Sequence, residues 1–149
     1  MGSIFRAPDN AELIQRLQRL RPETKAQWGK MDAAQMLAHC HVALGVATGE
    51  ARIQRRWVGV LFGKLAKRKL AGPAPFGRNL PTAPEFVMRG ARDFTLERGR
   101  VVDLVQRLGQ RGPEGLIREP HPFFGPMTSA EWDTLLWKHL DHHLRQFGA

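Results

Sequence analysis

Two capping boxes constrain the fold of this chain more than any other feature of its sequence. Asp32 and Gln35 stand three residues apart before an apolar run, and Thr128 and Glu131 repeat the arrangement near the C-terminus. In a capping box each residue's side chain accepts a hydrogen bond from the main-chain N–H of the other, which begins a helix at a defined residue. The sequence therefore predicts two long helices with well-defined starts.

Apolar residues recur at spacings of three and four in four segments, which is the pattern of a helix with one buried face. Residues typical of helix ends bound these segments: Asp9 or Asn10 can cap the first, and Gly49 and Gly148 follow the second and the fourth. The predicted helices run over about residues 10–20, 32–48, 93–108 and 128–147. No segment alternates like a β-strand, so we expect an all-α four-helix bundle, folded as one domain over residues 1–149.

A long crossover joins the second and third predicted helices. Residues 51–70 have an amphipathic pattern with a basic polar face, and they either extend the second helix or form a separate one. Trp57 and Phe62 in this stretch could form a homodimer face. Residues 72–84 contain four prolines and predict an irregular connection, of the kind that is often functional or links opposite ends of a bundle.

Charge and cysteine content narrow the class of protein. The net charge of +9 favours anionic partners in general, yet the basic segment 55–69 has no interleaved aromatic platform, so a solvated helix face explains it better than nucleic-acid binding. A single cysteine, Cys40, allows no internal disulfide. The first residues lack the long apolar stretch of a secretory signal and no segment has 18 consecutive apolar residues, so we expect a cytoplasmic protein without a membrane span.

Three histidines fall on buried helix faces. At 100° per residue, His139 and His143 lie inside the apolar stripe of the fourth helix, His142 lies at its edge, and His39 lies on the buried side of the second helix. A buried imidazole needs partners for both ring nitrogens. One divalent metal ion would satisfy all three rings, because positions i and i+4 place their Cβ atoms about 6 Å apart. Hydrogen bonds to the main chain remain the alternative.

The neighbouring Cys40 could approach such an ion, although a small apolar filler is the simpler interpretation of a single buried cysteine.

The segments 30–39 and 138–147 resemble the DinB/YfiT-like superfamily, and especially one of its uncharacterised bacterial branches. Residues 81–86 and 121–125 are similar to that branch as well. The resemblance implies a four-helix bundle with a long crossover between its second and third helices. It also implies a divalent ion, zinc or nickel, held by one histidine of the second helix and a His-x-x-x-His pair of the fourth, which are His39, His139 and His143 here.

Known activities in that superfamily imply a transferase or isomerase that uses a low-molecular-weight thiol. We therefore expect a metal-dependent enzyme that acts on a small molecule, either of this thiol-dependent kind or a hydrolase. His142 and Asp141 are candidates for orienting a ligand or accepting a proton, and Arg78 could bind an anionic substrate, although solvated surface positions explain all three. A non-enzymatic metal- or ligand-binding module and a basic nucleic-acid-binding protein are the alternatives. His121 either lies near the mouth of the site or caps a backbone turn.

Overall fold

The computed structural model describes residues 2–53, 67, 74–80, 82 and 84–149. Within these residues the chain forms four α-helices and two single turns of 3-10 helix, namely α1 (Ala7–Arg19), α2 (Ala33–Thr48), the turn Pro84–Phe86, α3 (Phe94–Arg111), the turn Gly112–Gly115 and α4 (Ser129–Gln146). The described residues contain no strand. The predicted all-α four-helix bundle is confirmed.

Both predicted capping boxes are present. The Asp32 side chain accepts from the Gln35 main-chain N–H at 2.7 Å, and the Gln35 side chain accepts from the Asp32 N–H at 3.1 Å. The Thr128 and Glu131 pair makes the same two hydrogen bonds at 3.2 and 2.8 Å. These bonds satisfy main-chain donors that have no partner within the helix, so α2 and α4 begin where the sequence predicts.

The predicted start of α1 was wrong. The helix begins at Ala7, three residues before Asn10, because Pro8 is tolerated in the first turn, where its missing N–H would have no helical partner. Asp9 does not cap the helix but accepts a hydrogen bond from the Ser3 N–H at 2.8 Å. Helix α3 runs to Arg111, three residues beyond the predicted Leu108.

The core lies between the four helices. Helix α3 contacts α1 and α2, while α4 contacts α2 and α1 from the other side. Each buried leucine contributes roughly 1.5–3 kcal/mol relative to an exposed one. The fully buried large side chains on the four helices include Leu13, Leu17, Met36, Leu37, Leu44, Val101, Leu104, Leu108, Leu140 and Leu144.

Most of the predicted amphipathic segment 51–70, including Trp57 and Phe62, lies outside the described residues. Lys67 is described, and its ammonium forms an ion pair with the Glu131 carboxylate at 3.0 Å. Within the described part of the chain, no helix has the length and apolar character needed to cross a bilayer.

Asn10 is buried inside α1 and ties three parts of the chain together. Its side-chain amide donates to the Ile4 carbonyl at 2.6 Å and to the Val105 carbonyl of α3 at 2.8 Å. The α3 backbone comes close at Gly109, where a Cβ atom would lie 2.7 Å from the Asn10 side chain. A polar residue can therefore occupy this core position because its amide donates to two main-chain carbonyls there.

His121 stabilises the loop before α4. Its Nδ1 accepts hydrogen bonds from the Phe123 and Phe124 main-chain N–H groups at 3.0 and 3.1 Å, so the ring proton is on Nε2. The ring stacks on Phe124 and packs against Trp132, with centroids 4.5 and 5.1 Å apart. Burial lowers the pKa of His121 to about 4. Of the two roles considered for His121, the geometry matches the backbone cap.

Replacing Asn10 with alanine is expected to lower the free energy of unfolding by about 1–3 kcal/mol, because two buried hydrogen bonds of its side chain are lost. Urea denaturation of wild type and Asn10→Ala measures the difference. Gln15→Ala is the matched control, since Gln15 is an exposed amide on the same helix and its removal should change stability by less than about 0.5 kcal/mol. Equal stability of Asn10→Ala and wild type would show that these hydrogen bonds contribute nothing net.

The protein is expected to lose stability as the pH falls from about 6.5 to 4, partly through His121. The unfolded chain binds a proton at His121 near pH 6.5, whereas the folded chain binds it only near pH 4, so this contribution is complete above pH 6.5 and falls by about 3 kcal/mol at pH 4. His121→Asn keeps an acceptor for the two N–H groups but does not titrate. Urea midpoints at pH 7 and pH 4 should therefore differ less in His121→Asn than in wild type; identical shifts would contradict the assignment.

Candidate metal centre

His39, His139 and His143 converge in the interior of the bundle. One ring nitrogen of each lies within 4.8 Å of the corresponding nitrogens of the other two, and the ring centroids are 4.7–4.8 Å apart. The Nε2 atoms of His39 and His139 approach to 2.8 Å. A tetrahedral zinc ion with Zn–N distances of about 2.0–2.1 Å separates its nitrogen ligands by roughly 3.3–3.4 Å, so a cluster of this size could hold a metal ion.

The two capped helices bring these rings together. His39 follows the α2 N-cap, Asp32, by seven residues, or two helical turns, so the capping box determines which face of α2 carries the imidazole. His139 and His143 stand four residues apart on α4, on the same face as the buried Leu136 and Leu140. Packing α4 against α2 then buries all three rings at one level of the bundle.

Gln146 determines the protonation of His143. Its amide nitrogen donates to the Trp28 carbonyl at 2.6 Å, so its amide oxygen faces His143 Nδ1 at 2.8 Å. Because that oxygen can only accept, the His143 proton is on Nδ1 and the Nε2 lone pair is free. The close approach requires Gly29, since a Cβ atom there would lie 2.5 Å from the Gln146 amide nitrogen.

A carbonyl in the crossover determines the protonation of His39 in the same way. His39 Nδ1 lies 2.9 Å from the Phe86 main-chain oxygen, and a carbonyl oxygen has no proton to donate. Neutral His39 therefore carries its proton on Nδ1 and presents the Nε2 lone pair to His139. Metal-binding histidines typically have such an acceptor behind them, which orients the ring and increases its basicity.

All three rings are held neutral. His39 and His143 are buried, and His139 is partly exposed as a residue although its ring is surrounded by protein. Burial lowers the pKa of His39 and lowers that of His143 to about 3. Burial, and then the charges of the neighbouring imidazoles, hold the pKa of His139 well below its usual range. Neutral imidazoles are the form that binds a metal ion.

The other candidate residues take different positions. His142 is partly exposed beside the cluster, with its ring centroid 5.1 Å from that of His143. Asp141 points to α1 instead, and its carboxylate forms ion pairs with Arg16 at 2.8 Å and Arg145 at 3.0 Å. Cys40 is buried, its thiol lies 3.7 Å from the Met36 sulfur, and burial raises its pKa, so it is an apolar filler and not part of the histidine cluster.

Sequence reasoning missed the residues that orient the rings. Gln146 stands three residues after His143, a spacing that allows contact on a helix, so this contact could have been anticipated. The Phe86 carbonyl carried no such signal, because a main-chain atom of any loop residue can accept. The Trp28 carbonyl, which anchors the Gln146 amide, carried no such signal either.

Comparison with known proteins shows the family of this chain but gives no activity. No curated protein and no solved structure matches the chain. A family model described as "Protein of unknown function (DUF1569)" matches residues 5–149, which include all four helices and the three clustered histidines. The chain therefore belongs to the DUF1569 family.

Proposed function

We propose that this protein is a divalent-metal-dependent enzyme whose ion is held by His39, His139 and His143. The observation that carries the proposal is the acceptor oxygen that lies behind each of two rings, at hydrogen-bond distance from Nδ1. His39 and His143 both donate their Nδ1–H to oxygens that can only accept, and both therefore turn an Nε2 lone pair inward. Inward lone pairs crowd one another unless a cation or a proton lies between them.

The donor set supports zinc or nickel as the ion. Three neutral imidazole nitrogens, without a carboxylate or thiolate, suit the borderline transition metals and not magnesium or calcium. Three protein ligands leave at least one coordination position open, which is typical of catalytic sites. Such an ion, when bound, would act as a Lewis acid and lower the pKa of a bound thiol or water toward neutral pH. The activity we propose is that of a thiol-dependent transferase or isomerase, or of a hydrolase, acting on a small molecule.

Kinship with the DinB/YfiT-like superfamily is part of the proposal. It is supported by the order of elements, with one histidine on α2, a long connection between α2 and α3, and a His-x-x-x-His pair on α4. It is also supported by the clustering of the same three residues that the resemblance implies.

His142 is the residue that we propose for proton exchange with a substrate. It is partly exposed next to His143, and burial lowers its pKa, so it is neutral and able to accept a proton near pH 7. Asp141 is less suited to this role because two arginines already hold its carboxylate.

Replacing His139 with alanine is expected to remove most of the bound ion, because two remaining imidazoles hold a divalent ion far more weakly than three. Metal analysis of purified protein should give about one ion per chain for wild type and much less for His139→Ala. His41→Ala is the matched control, since this second histidine of α2 lies beside Glu97 and outside the cluster. Full occupancy in His139→Ala would refute the ligand assignment.

Catalysis is tested separately with metal-free and zinc- or nickel-loaded protein. We expect turnover in a panel of thiol-transfer and ester or amide hydrolysis reactions only with the ion present, and none with His139→Ala. A purely structural metal site gives a different result: the loaded protein gains stability, about 2.7 kcal/mol at an ion concentration of 100 Kd, without turnover. That outcome would favour the non-enzymatic binding module.

Gln146→Ala is expected to weaken ion binding about 10- to 100-fold, because His143 loses the acceptor that orients it. Competition with a chelating dye measures the affinity. Gln146→Glu keeps an acceptor for His143 but loses the donor to the Trp28 carbonyl, so it should retain more affinity than Gln146→Ala. If both variants bind like wild type, the hydrogen bond to His143 does not support the site.

A further inference from the structure

Aromatic rings and cationic groups gather on one side of the histidine cluster. The Arg78 guanidinium lies 4.3 Å from the centre of the Trp28 ring, and the Lys138 ammonium lies 4.7 Å from the centre of the Phe76 ring. The His142 ring packs near both aromatic side chains, with its centroid 5.7 Å from that of Trp28 and 5.9 Å from that of Phe76. We call these five residues the cationic rim.

The cationic rim adjoins the proposed metal ligands because two of its residues are their neighbours in the sequence of α4. Lys138 and His142 each precede a clustered histidine by one residue on α4, so they form the adjoining strip of the same helix. The Trp28 side of the rim is tied to the site by Gln146, whose amide contacts both the Trp28 carbonyl and His143. A molecule that reaches an open coordination position on this side would meet the rim.

The cationic groups of Arg78 and Lys138 both lie on this side of the cluster. Arg78 is exposed and forms no ion pair with any carboxylate in the described part of the chain. A guanidinium that rests on an aromatic face keeps its hydrogen-bonding edge available to a planar carboxylate.

Trp28 also carries a buried donor, its indole Nε1, that has no hydrogen-bond partner among the described residues. Buried donors without an acceptor are costly and uncommon in folded proteins. A ligand bound in the rim is one source of the acceptor.

From these contacts we propose that the cationic rim binds the carboxylate of a small organic acid, with Arg78 as its main partner and with Trp28 and Phe76 holding the apolar body of the molecule. The proposal rests on the proposed function in one respect, that this acid is the substrate of the metal site. Carboxylate binding itself needs no ion. Arg78 is thus a specificity-determining residue that selects acidic over neutral molecules.

The probe is benzoate, compared with its neutral analogue benzamide and with phenyl phosphate. Each is titrated into ¹⁵N-labelled, metal-free protein while the Trp28 indole N–H resonance is followed by NMR. We expect a saturable shift with benzoate and binding of benzamide at least about tenfold weaker, because a charge-assisted hydrogen bond is lost. Phenyl phosphate that binds tenfold more tightly than benzoate would overturn the choice of a carboxylate.

Variants at the exposed arginine test the assignment without disturbing the core. Arg78→Met should weaken benzoate about tenfold or more and leave benzamide unchanged, while Arg78→Lys, which keeps the charge but loses the planar fork, should lie between. Arg89→Met, another exposed arginine between α2 and α3, should bind benzoate like wild type. No saturable shift up to tens of millimolar benzoate, or equal binding by Arg78→Met, would overturn the proposal.

The same titration distinguishes failure of this inference from failure of the proposed function. If His139→Ala retains benzoate binding but the wild type holds no metal ion, the result supports the carboxylate site and refutes the metal site. If the wild type holds an ion and turns over neutral substrates as fast as acidic ones, the result supports the metal site and refutes the role of Arg78 in substrate selection.

Discussion

The hydrogen bond between the Gln146 amide and His143 is the interaction on which the candidate site depends. The Trp28 carbonyl orients that amide from one side, and its oxygen then dictates where the His143 proton lies. One side chain at the end of α4 therefore links the segment between α1 and α2 to a clustered imidazole. Without this contact the ring would be free to take the other tautomer and to turn its lone pair away from the centre.

Loops supply what the helices alone cannot. Helices α2 and α4 deliver three imidazoles to one level of the bundle, but neither provides an acceptor for His39. The connection between α2 and α3 does so through the Phe86 carbonyl, and it also carries Phe76 and Arg78 to the outer side of the cluster. Long connections are uncommon in compact proteins. This one contacts the candidate site at two separate points, through Phe86 and through the segment that contains Phe76 and Arg78.

Much of the helical framework could be predicted because its signals are local. The capping boxes at Asp32 and Thr128 gave the correct starts of α2 and α4, and the apolar periodicity put His39, His139 and His143 on buried faces. The start of α1 was predicted wrongly, since Asn10 has the chemistry of a helix cap and was assigned that role. Its burial against Val105 depends on a residue 95 positions away, which no local pattern reports.

The sequence by itself determined where the helices of this protein begin and which of their faces are apolar, because capping and periodicity involve residues within a few positions of one another. It also supplied the three histidines at spacings that allow them to meet. Only the tertiary structure decided that they do meet, which nitrogen of His39 and His143 holds the proton, and that Arg78 rests on Trp28. Those features arise from contacts between segments far apart in the chain, and such contacts form only when the helices and loops pack together.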